Sequence, residues 1–305
     1  MVINDPLFHP GWIKFNCDYW NLTAETIELK SEKENVWALK TIIYKNIKGE
    51  IVTPPRSPYL PITFSSSSTA PISYNRRRKA AYEALATVYD QSSCKGSLIL
   101  SSSVNDIRAF TWAGFSATPL YTYYIDIQNY KKQADARVLK HARKAEGKGY
   151  YIERTQDFNL VQKCLTASEQ RKGFSHAVDE EGLKLLNEYM SPDYLHCYLV
   201  KNVKHEVVGA RVLIVDGENK VLAWSAGIDS SVLKDGVNHF MVEKLLDLYA
   251  KEGYKVFDFV GANIPPVAAM KEAWGGELVV YYALRQNSLR NLIVNSYNFF
   301  KKFRV

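Results

Sequence analysis

The sequence predicts an α+β protein built from two tandem domains, each a mixed and largely antiparallel sheet flanked by helices. One observation is a repeated phrase, since residues 45–52 read KNIKGEIV and residues 201–208 read KNVKHEVV, 156 positions later. Both copies lie in β-branched apolar runs typical of paired strands. A second pair of similar segments has nearly the same spacing. Trp-Ala-Gly at 112–114 and Trp-Gly-Gly at 274–276 each precede an aromatic strand. Solenoid and propeller repeats are only about 20 to 50 residues long, so this spacing predicts duplication of a whole domain.

Apolar spacing and turn residues predict the elements of the first domain. Residues 36–64 alternate as strands do, and the turn at 46–49 makes them a hairpin that leads into a proline-rich loop. Apolar residues on one face predict a helix over 75–89. A strand over 97–100, a helical turn ending at 110 and a strand over 121–127 complete this domain.

The second domain is predicted to open with a basic helix that Gly147 and Gly149 end. Three apolar strands then form an antiparallel meander, and the repeated turn joins the first two. The predicted helices are 130–146, 158–170, 179–189, 236–252 and 267–274. The predicted strands are 150–154, 195–201, 207–215, 220–226, 256–260 and 277–284.

The order of these elements sets the expected domain boundaries. We expect an N-terminal domain over 1–128, a C-terminal domain over 129–286 and a C-terminal helix over 287–305. Apolar residues recur at helical spacing in this tail, with lysines and arginines between them. We expect the helix to pack back on the first domain, and docking on a membrane surface is the alternative.

Composition and charge limit the classes of function. With 305 residues and 47% hydrophobic content the chain can bury a sizeable core, and no apolar run approaches the ~18 residues of a membrane-spanning helix. The N-terminus lacks a basic segment followed by an apolar stretch, so we expect no secretory signal and a cytoplasmic protein. A net charge of +7 and a pI near 9.0 favour polyanionic partners such as nucleotide phosphates, RNA or an anionic lipid surface.

The cysteines give no sign of a metal centre. Cys17, Cys94, Cys164 and Cys197 lie far apart, and none falls at zinc-ligand spacing with the six histidines. We therefore expect reduced thiols and no bound metal.

The order of several motifs resembles one family. The second domain contains ASEQRKGF at 167–174, Trp224, FDFVG at 257–261 and MKEAWGG at 270–276, and RAFTWAGFSATPLYTYYIDI at 108–127 closes the first. This layout resembles the Fem-type aminoacyltransferases and their relatives in the GNAT acyltransferase superfamily, and the resemblance covers nearly the whole chain. It implies two tandem GNAT-like domains. It also implies acyl transfer, in which an amine or hydroxyl attacks the carbonyl of an activated ester or thioester.

Two residues of the second domain are candidates for the chemistry. Asp258 lies on a largely apolar strand, where a carboxyl group is suited to proton transfer, so it is the candidate base. The alternative is a structural carboxylate that accepts backbone or lysine hydrogen bonds. Lys271 matches the lysine that Fem relatives use to hold an anionic substrate or to steady developing charge, and an exposed helix lysine is the alternative. Neither recurs in the first copy, so we expect the site in the second domain.

Three further residues are candidates for substrate binding. Arg171 falls where relatives place an arginine facing the cleft, and a guanidinium can grip a phosphate or carboxylate through two hydrogen bonds. Trp224 and Tyr281 are candidates for the walls of the acceptor pocket. The alternatives are a surface arginine and ordinary core aromatics.

The segment before the long helix leaves the donor open. Coenzyme A-dependent relatives carry Q/R-x-x-G-x-G/A there, whereas residues 229–238 read DSSVLKDGVN with one glycine, Gly236. Lys234 attracts a pyrophosphate, whereas two aspartates of the segment repel it, so an acyl-CoA donor is in doubt. Lys234 and Gly236 are the donor-binding candidates. Aminoacyl-tRNA is the other donor, because the basic helix and the cluster at 76–79 offer phosphate contacts.

We expect an acyltransferase acting on an amine or hydroxyl of a cell-envelope precursor, sugar or peptide. The main alternative is a catalytically silent GNAT-like module that binds an anionic glycan, nucleotide or RNA. A third hypothesis is peripheral contact of the C-terminal helix with the inner membrane surface, without a transmembrane segment.

Overall fold

The computed structural model describes residues 5–32, 36–172 and 177–287. They form two compact units that interleave along the chain. The first unit combines 5–19 with 121–279, and the second combines 20–120 with 280–287.

The predicted domain boundary after residue 128 divides the chain linearly, whereas each observed unit takes segments from two separate stretches of the sequence. Two strands, residues 115–126 and 277–286, therefore run from one unit into the other. The predicted C-terminal helix, 287–305, lies outside the described residues except for residue 287.

Helices and strands are mixed along the chain, as the predicted α+β class requires. The α-helices are α1 (Pro10–Trp20), α2 (Pro71–Asp90), α3 (Arg108–Trp112), α4 (Tyr130–Gln133), α5 (Ala136–Gly147), α6 (Phe158–Lys172), α7 (Glu180–Tyr194), α8 (Val237–Lys251) and α9 (Pro265–Glu272). The strands are β1 (Thr23–Lys30), β2 (Trp37–Lys45), β3 (Ile51–Val52), β4 (Ile62–Ser66), β5 (Leu98–Ile99), β6 (Phe115–Asp126), β7 (Tyr151–Thr155), β8 (Leu195–Lys201), β9 (Val207–Val215), β10 (Lys220–Ile228), β11 (Val256–Asp258) and β12 (Glu277–Gln286).

The first unit is built on a sheet in the order β6-β11-β10-β9-β8-β7. The pair β10 and β11 is parallel, and the neighbouring pairs are antiparallel. Helices α5 and α8 cover one face through a continuous apolar core. Helix α6 lies on the other face, where a Cβ on Gly227 would lie 2.1 Å from the carbonyl oxygen of Cys164. The predicted meander is therefore present, with helices on both faces.

The second unit centres on β2, which pairs antiparallel with β1, β3 and β4. Aromatic side chains of α2 and α3 form part of its core, because the ring of Phe110 lies 6.1 Å from Tyr82 and 6.2 Å from Tyr89. Residues 98–99 of β5 pair with residues 283–284 of β12. This pairing ties the last described strand to this unit.

The repeated phrase builds the same turn in each unit. The side-chain oxygen of Asn46 accepts from the backbone N–H groups of Lys48 and Glu50, and that of Asn202 accepts from Lys204 and Glu206. The fourth residue of each turn has a positive φ, +75° at Gly49 and +63° at His205. The sequence match thus corresponds to a match of structure.

Three elements differ from the prediction. Helix α1 and strand β1 were not predicted. Helix α1 is rich in apolar residues, whereas β1 has only Ala24, Ile27 and Leu29. The predicted helix over 130–146 is divided into α4 and α5, because Asp135 caps α5 by accepting from the N–H of Arg137 at 2.8 Å. The N–H of Asp135 is in turn donated to the carbonyl oxygen of Ala273. This tertiary contact cannot be read from local periodicity.

We predict that Gly49→Ala lowers the free energy of unfolding by about 1 kcal/mol, because alanine pays a steric cost at this left-handed φ. Gly147→Ala is the matched control. Both sites have open space around an added Cβ, but Gly147 ends α5 without a positive φ. Alanine at position 147 should raise the free energy of unfolding by about 1 kcal/mol or less. Chemical denaturation measures both, and changes of the same sign would contradict the assignment of the turn.

Candidate active site

The strands β10 and β11 separate after a short parallel pairing. The pairing joins Lys220 to Val256, Val221 to Phe257 and Leu222 to Asp258, and goes no further. The register of β10 against β9 shifts between Leu222 and Ser225, so a β-bulge lies just past the last paired residue. Bulges re-aim side chains and are frequent beside active sites. Parting strands of this kind are where the family resemblance expects a backbone N–H to face a substrate carbonyl.

Asp258 is the last residue of β11 and belongs to its last pair with β10, yet its carboxylate is enclosed and only 2% exposed. One oxygen, Oδ1, accepts from Thr122 Oγ1 at 2.8 Å and from the N–H of Val260 at 2.8 Å. The other, Oδ2, lies 3.1 Å from the Nζ of Lys220. The carboxylate thus joins β6, β10 and the residues that follow β11.

Lys220 is itself largely buried. Its ammonium donates to the hydroxyl of Tyr124 at 3.0 Å and lies 4.5 Å from the centre of the same ring. We call Asp258, Lys220, Thr122 and Tyr124 the carboxylate cluster. Removing one member of a buried ion pair leaves the other charge uncompensated, which is far more costly than losing a surface pair.

The loop over residues 259–261 follows Asp258 and has an unusual backbone. Val260 has φ +50°, which is uncommon for a β-branched residue, and Gly261 has φ +91°. The N–H of Phe259 donates to the carbonyl oxygen of Tyr123, and that of Gly261 donates to Thr122 Oγ1. Strain of this kind persists only where surrounding contacts hold it, and it concentrates at functional sites.

Lys271 holds the same loop from α9. Its Nζ donates to the carbonyl oxygen of Phe259 at 2.6 Å and to that of Gly261. The structure therefore brings the two predicted catalytic candidates together, since Asp258 and Lys271 bind the two sides of one three-residue loop. The lysine is half-buried, so it is neither the exposed helix lysine of the alternative reading nor sealed in the core.

The predicted substrate-binding residues lie in three different settings. Trp224 is 5% exposed and packs edge-on against Trp12 of α1, with ring centres 5.8 Å apart, so the structure places it in the core. Arg171 belongs to α6, but its side chain is outside the described residues. Tyr281 is half-buried on the part of β12 that belongs to the second unit.

The predicted donor-binding residues are packed against α5. A Cβ on Gly236 would lie 2.3 Å from the carbonyl oxygen of His141, and Lys144 donates to the carbonyl oxygen of Lys234 at 2.8 Å. Asp235, between them, accepts from Tyr150 at 2.9 Å and pairs with a lysine. The backbone of this segment therefore lies tightly against α5 at Gly236, whereas Lys234 is exposed.

A cleft of about 280 Å³ opens beside α6. Most of its lining residues are polar, although more of the lining surface is apolar than polar. The side-chain oxygen of Gln162 is buried there without a hydrogen-bond partner. The lining residues are Asn159, Gln162, Lys163, Thr166, Ala167 and Glu180.

Sequence reasoning missed the partners of Asp258 and a buried arginine. Lys220, Thr122 and Tyr124 are ordinary strand residues until the register of three strands is known. Arg211 of β9 is 4% exposed, and Asn238 in the first turn of α8 accepts its hydrogen bond at 3.1 Å. Burial lowers the pKa of its guanidinium to about 10. A cation inside an otherwise apolar strand was the one available signal for Arg211.

The described residues contain neither a metal-binding cluster nor a membrane-spanning helix. No group of three histidine, cysteine, aspartate or glutamate side chains there is arranged to hold a metal ion. No helix among these residues is long and apolar enough to cross a bilayer.

We predict strong coupling between Lys220 and Asp258. Asp258→Asn and Lys220→Met should each lower the free energy of unfolding by about 3 kcal/mol, because each leaves a buried charge without its counter-ion. The double variant should lose less free energy of unfolding than the two single variants lose together, and the difference, the coupling energy, should be about 2 kcal/mol or more.

The matched control is the ion pair of Glu153 and Lys201, 2.8 Å apart with the carboxylate half exposed. A cycle of Glu153→Gln and Lys201→Met should give a coupling below about 1 kcal/mol. Equal couplings in the two cycles would contradict the special position of Asp258.

Comparison with solved structures identifies the fold. The chain superposes on FemX with a TM-score of 0.63 and 13% identity, over 91% of this chain and 92% of that one. It superposes on L-PGS from Bacillus licheniformis with a TM-score of 0.56 and 12% identity, over 92% and 89% of the two chains. It also superposes on a conserved protein of unknown function from Bacteroides thetaiotaomicron with a TM-score of 0.57 and 11% identity, over 93% of this chain and 92% of that one.

Searches by sequence alone return nothing comparable. No family model matches the chain, and no curated protein matches it. At these identities the superpositions establish the fold and leave activity to the site itself. The chain therefore has the fold of FemX and of L-PGS, which confirms the predicted Fem-like, GNAT-type α+β fold.

Proposed function

We propose that the protein is an acyltransferase that moves an acyl or aminoacyl group from an activated donor to an amine or hydroxyl of a cell-envelope precursor, sugar or peptide. The observation that carries the proposal is the separation of β10 and β11 at Asp258, beside a strained loop that Lys271 holds. A fold shared with FemX supports it.

In the proposed reaction the nucleophilic nitrogen or oxygen attacks the carbonyl carbon of the donor. A C–N or C–O bond forms, the carbonyl oxygen gains negative charge, and the bond to the leaving oxygen or sulfur then breaks. The proton lost by the nucleophile passes to the leaving group. Preorganised hydrogen-bond donors at the carbonyl oxygen are the main requirement of such a step.

We assign charge stabilisation to Lys271. Its ammonium already lies against two carbonyl oxygens of the loop, so the site can hold a cation beside partial negative charge before any substrate arrives. A cation fixed in this way needs little reorganisation when an oxyanion forms.

We assign Asp258 a positioning role in place of the base expected from the sequence. Its carboxylate accepts from Thr122 and Val260, pairs with Lys220 and is enclosed. It therefore fixes the loop that Lys271 binds, and it is not open to a substrate proton. The proton of the nucleophile therefore reaches the leaving group either directly or by way of another group.

The donor we favour is aminoacyl-tRNA, with acyl-CoA as the second possibility. The segment over 229–238 supports this choice, because it has one glycine, Gly236, where coenzyme A-dependent relatives carry two in the loop that holds pyrophosphate, and Gly236 packs tightly against α5. The basic residues of α5 would contact tRNA phosphates. A cytoplasmic location belongs to the same proposal, since charged tRNA is found there.

A silent binding module is the second candidate function. The closed carboxylate cluster favours it, because such a module needs a polar cleft and no carboxylate that takes up a proton. The cleft beside α6 would then hold an anionic glycan, nucleotide or RNA.

The test is transfer to a panel of amine- and hydroxyl-bearing envelope precursors, with charged tRNA and acyl-CoA offered separately and the product identified by mass. We expect transfer from aminoacyl-tRNA. Lys271→Ala should lower turnover about 100-fold or more, as loss of one oxyanion donor does elsewhere.

Lys251→Ala is the matched control, since Lys251 is an exposed lysine at the end of α8. It should leave turnover unchanged, and circular dichroism should show both variants folded. Full turnover in Lys271→Ala would refute its role. Ligand binding without transfer from any donor would favour the silent module.

A further inference from the structure

The two tryptophans of the repeated motif have opposite environments. Trp112 ends α3 and Trp274 follows α9, and in each case a glycine with positive φ comes next in the turn, Gly114 at +87° and Gly275 at +72°. Trp274 is 0% exposed and packs against aromatic rings of its unit, whereas Trp112 is 64% exposed. The glycine follows Trp112 by two residues and Trp274 by one, and the first tryptophan is presented to solvent whereas the second is buried.

Cations flank the exposed tryptophan. The Nζ of Lys79 lies 5.7 Å from the ring centre of Trp112, and the guanidinium carbon of Arg108 lies 5.8 Å from it. Ile72, 70% exposed, and Arg76 lie on the same face of α2 as Lys79, because residues at i, i+4 and i+7 line one face. We call Ile72, Arg76, Lys79, Arg108 and Trp112 the docking patch.

The docking patch keeps a positive charge after its internal ion pairs are counted. Asp106 pairs with Arg108 at 2.8 Å, and Glu83 lies 3.6 Å from Lys79. Arg76 has no such carboxylate beside it in the described residues, and Arg77 and Arg78 follow it on α2. The surface therefore combines two exposed apolar side chains with an excess of cations.

We propose that the docking patch binds the anionic surface of a phospholipid bilayer. Tryptophan prefers the membrane interface, where its ring is apolar and its N–H is wet, and an exposed aliphatic residue beside it can enter the same layer. Arg76 and Lys79 would then lie at the headgroup phosphates, where each cation adds attraction that salt screens.

The apolar residues favour lipid over RNA as the partner. A base could stack on Trp112 or on a guanidinium of the patch, but Ile72 offers neither kind of surface. It gains by entering an apolar layer. The proposal is separate from the proposed function, because α2 and α3 contain no residue of the candidate active site.

The test is co-sedimentation of the full chain with vesicles of phosphatidylcholine alone and with vesicles in which phosphatidylglycerol replaces part of it. We expect binding to the second kind only, weakening as salt rises. Trp112→Ala should weaken partition about tenfold or more, since burial of a large side chain is lost. Arg76→Gln should weaken it about fivefold, the contribution of one surface cation.

Two variants of the same unit serve as matched controls. Ile47→Ser removes an exposed apolar residue at the tip of a turn, and Lys95→Gln removes an exposed cation after α2. Both should bind vesicles as the parent does, and all four variants should melt as the parent does. Equal binding to neutral vesicles, unchanged binding of Trp112→Ala, or binding of RNA and not of vesicles would overturn the proposal.

Discussion

The buried ion pair between Asp258 and Lys220 lies where three strands of the first unit come together. Asp258 ends β11, Lys220 begins β10, and Thr122 of β6 completes the hydrogen bonds of the carboxylate. Two opposite charges in a poorly solvated place are stable only as a pair with their remaining hydrogen bonds made. One side chain therefore bridges three strands that backbone pairing also holds together.

The chemistry proposed for the site depends on that fixed position. The N–H of Val260 is held by the Asp258 carboxylate, and Lys271 holds the carbonyl groups on either side of Val260. These contacts offset the cost of a left-handed valine, about 1 kcal/mol. A loop held from both sides presents its groups in one arrangement, and preorganisation of this kind is what oxyanion stabilisation requires.

Much of the fold could be predicted because its signals are local. The strands β8, β9 and β10 begin at the predicted residues, since alternation and the asparagine turn both mark them. The interleaved units could not be predicted, because they depend on which distant strands pair. The site shows the same division: Asp258 and Lys271 were found through motifs, whereas Lys220 acquires its role only from the register of β10 against β11. The closure of Gly236 by His141 likewise comes from helix packing and leaves no trace in spacing.

Amide hydrogen exchange in Asp258→Asn tests most directly whether this carboxylate holds the site together. If the carboxylate holds the loop, the amides of Val260 and Gly261 and of the adjoining parts of β6 and β11 exchange faster in the variant. Protection in β8 and in α2 is then unchanged. The first group depends on the carboxylate, and the second has no contact with it. Unchanged protection at Val260 and Gly261, in a variant that folds normally, would show that the loop is held without Asp258 and would contradict the account.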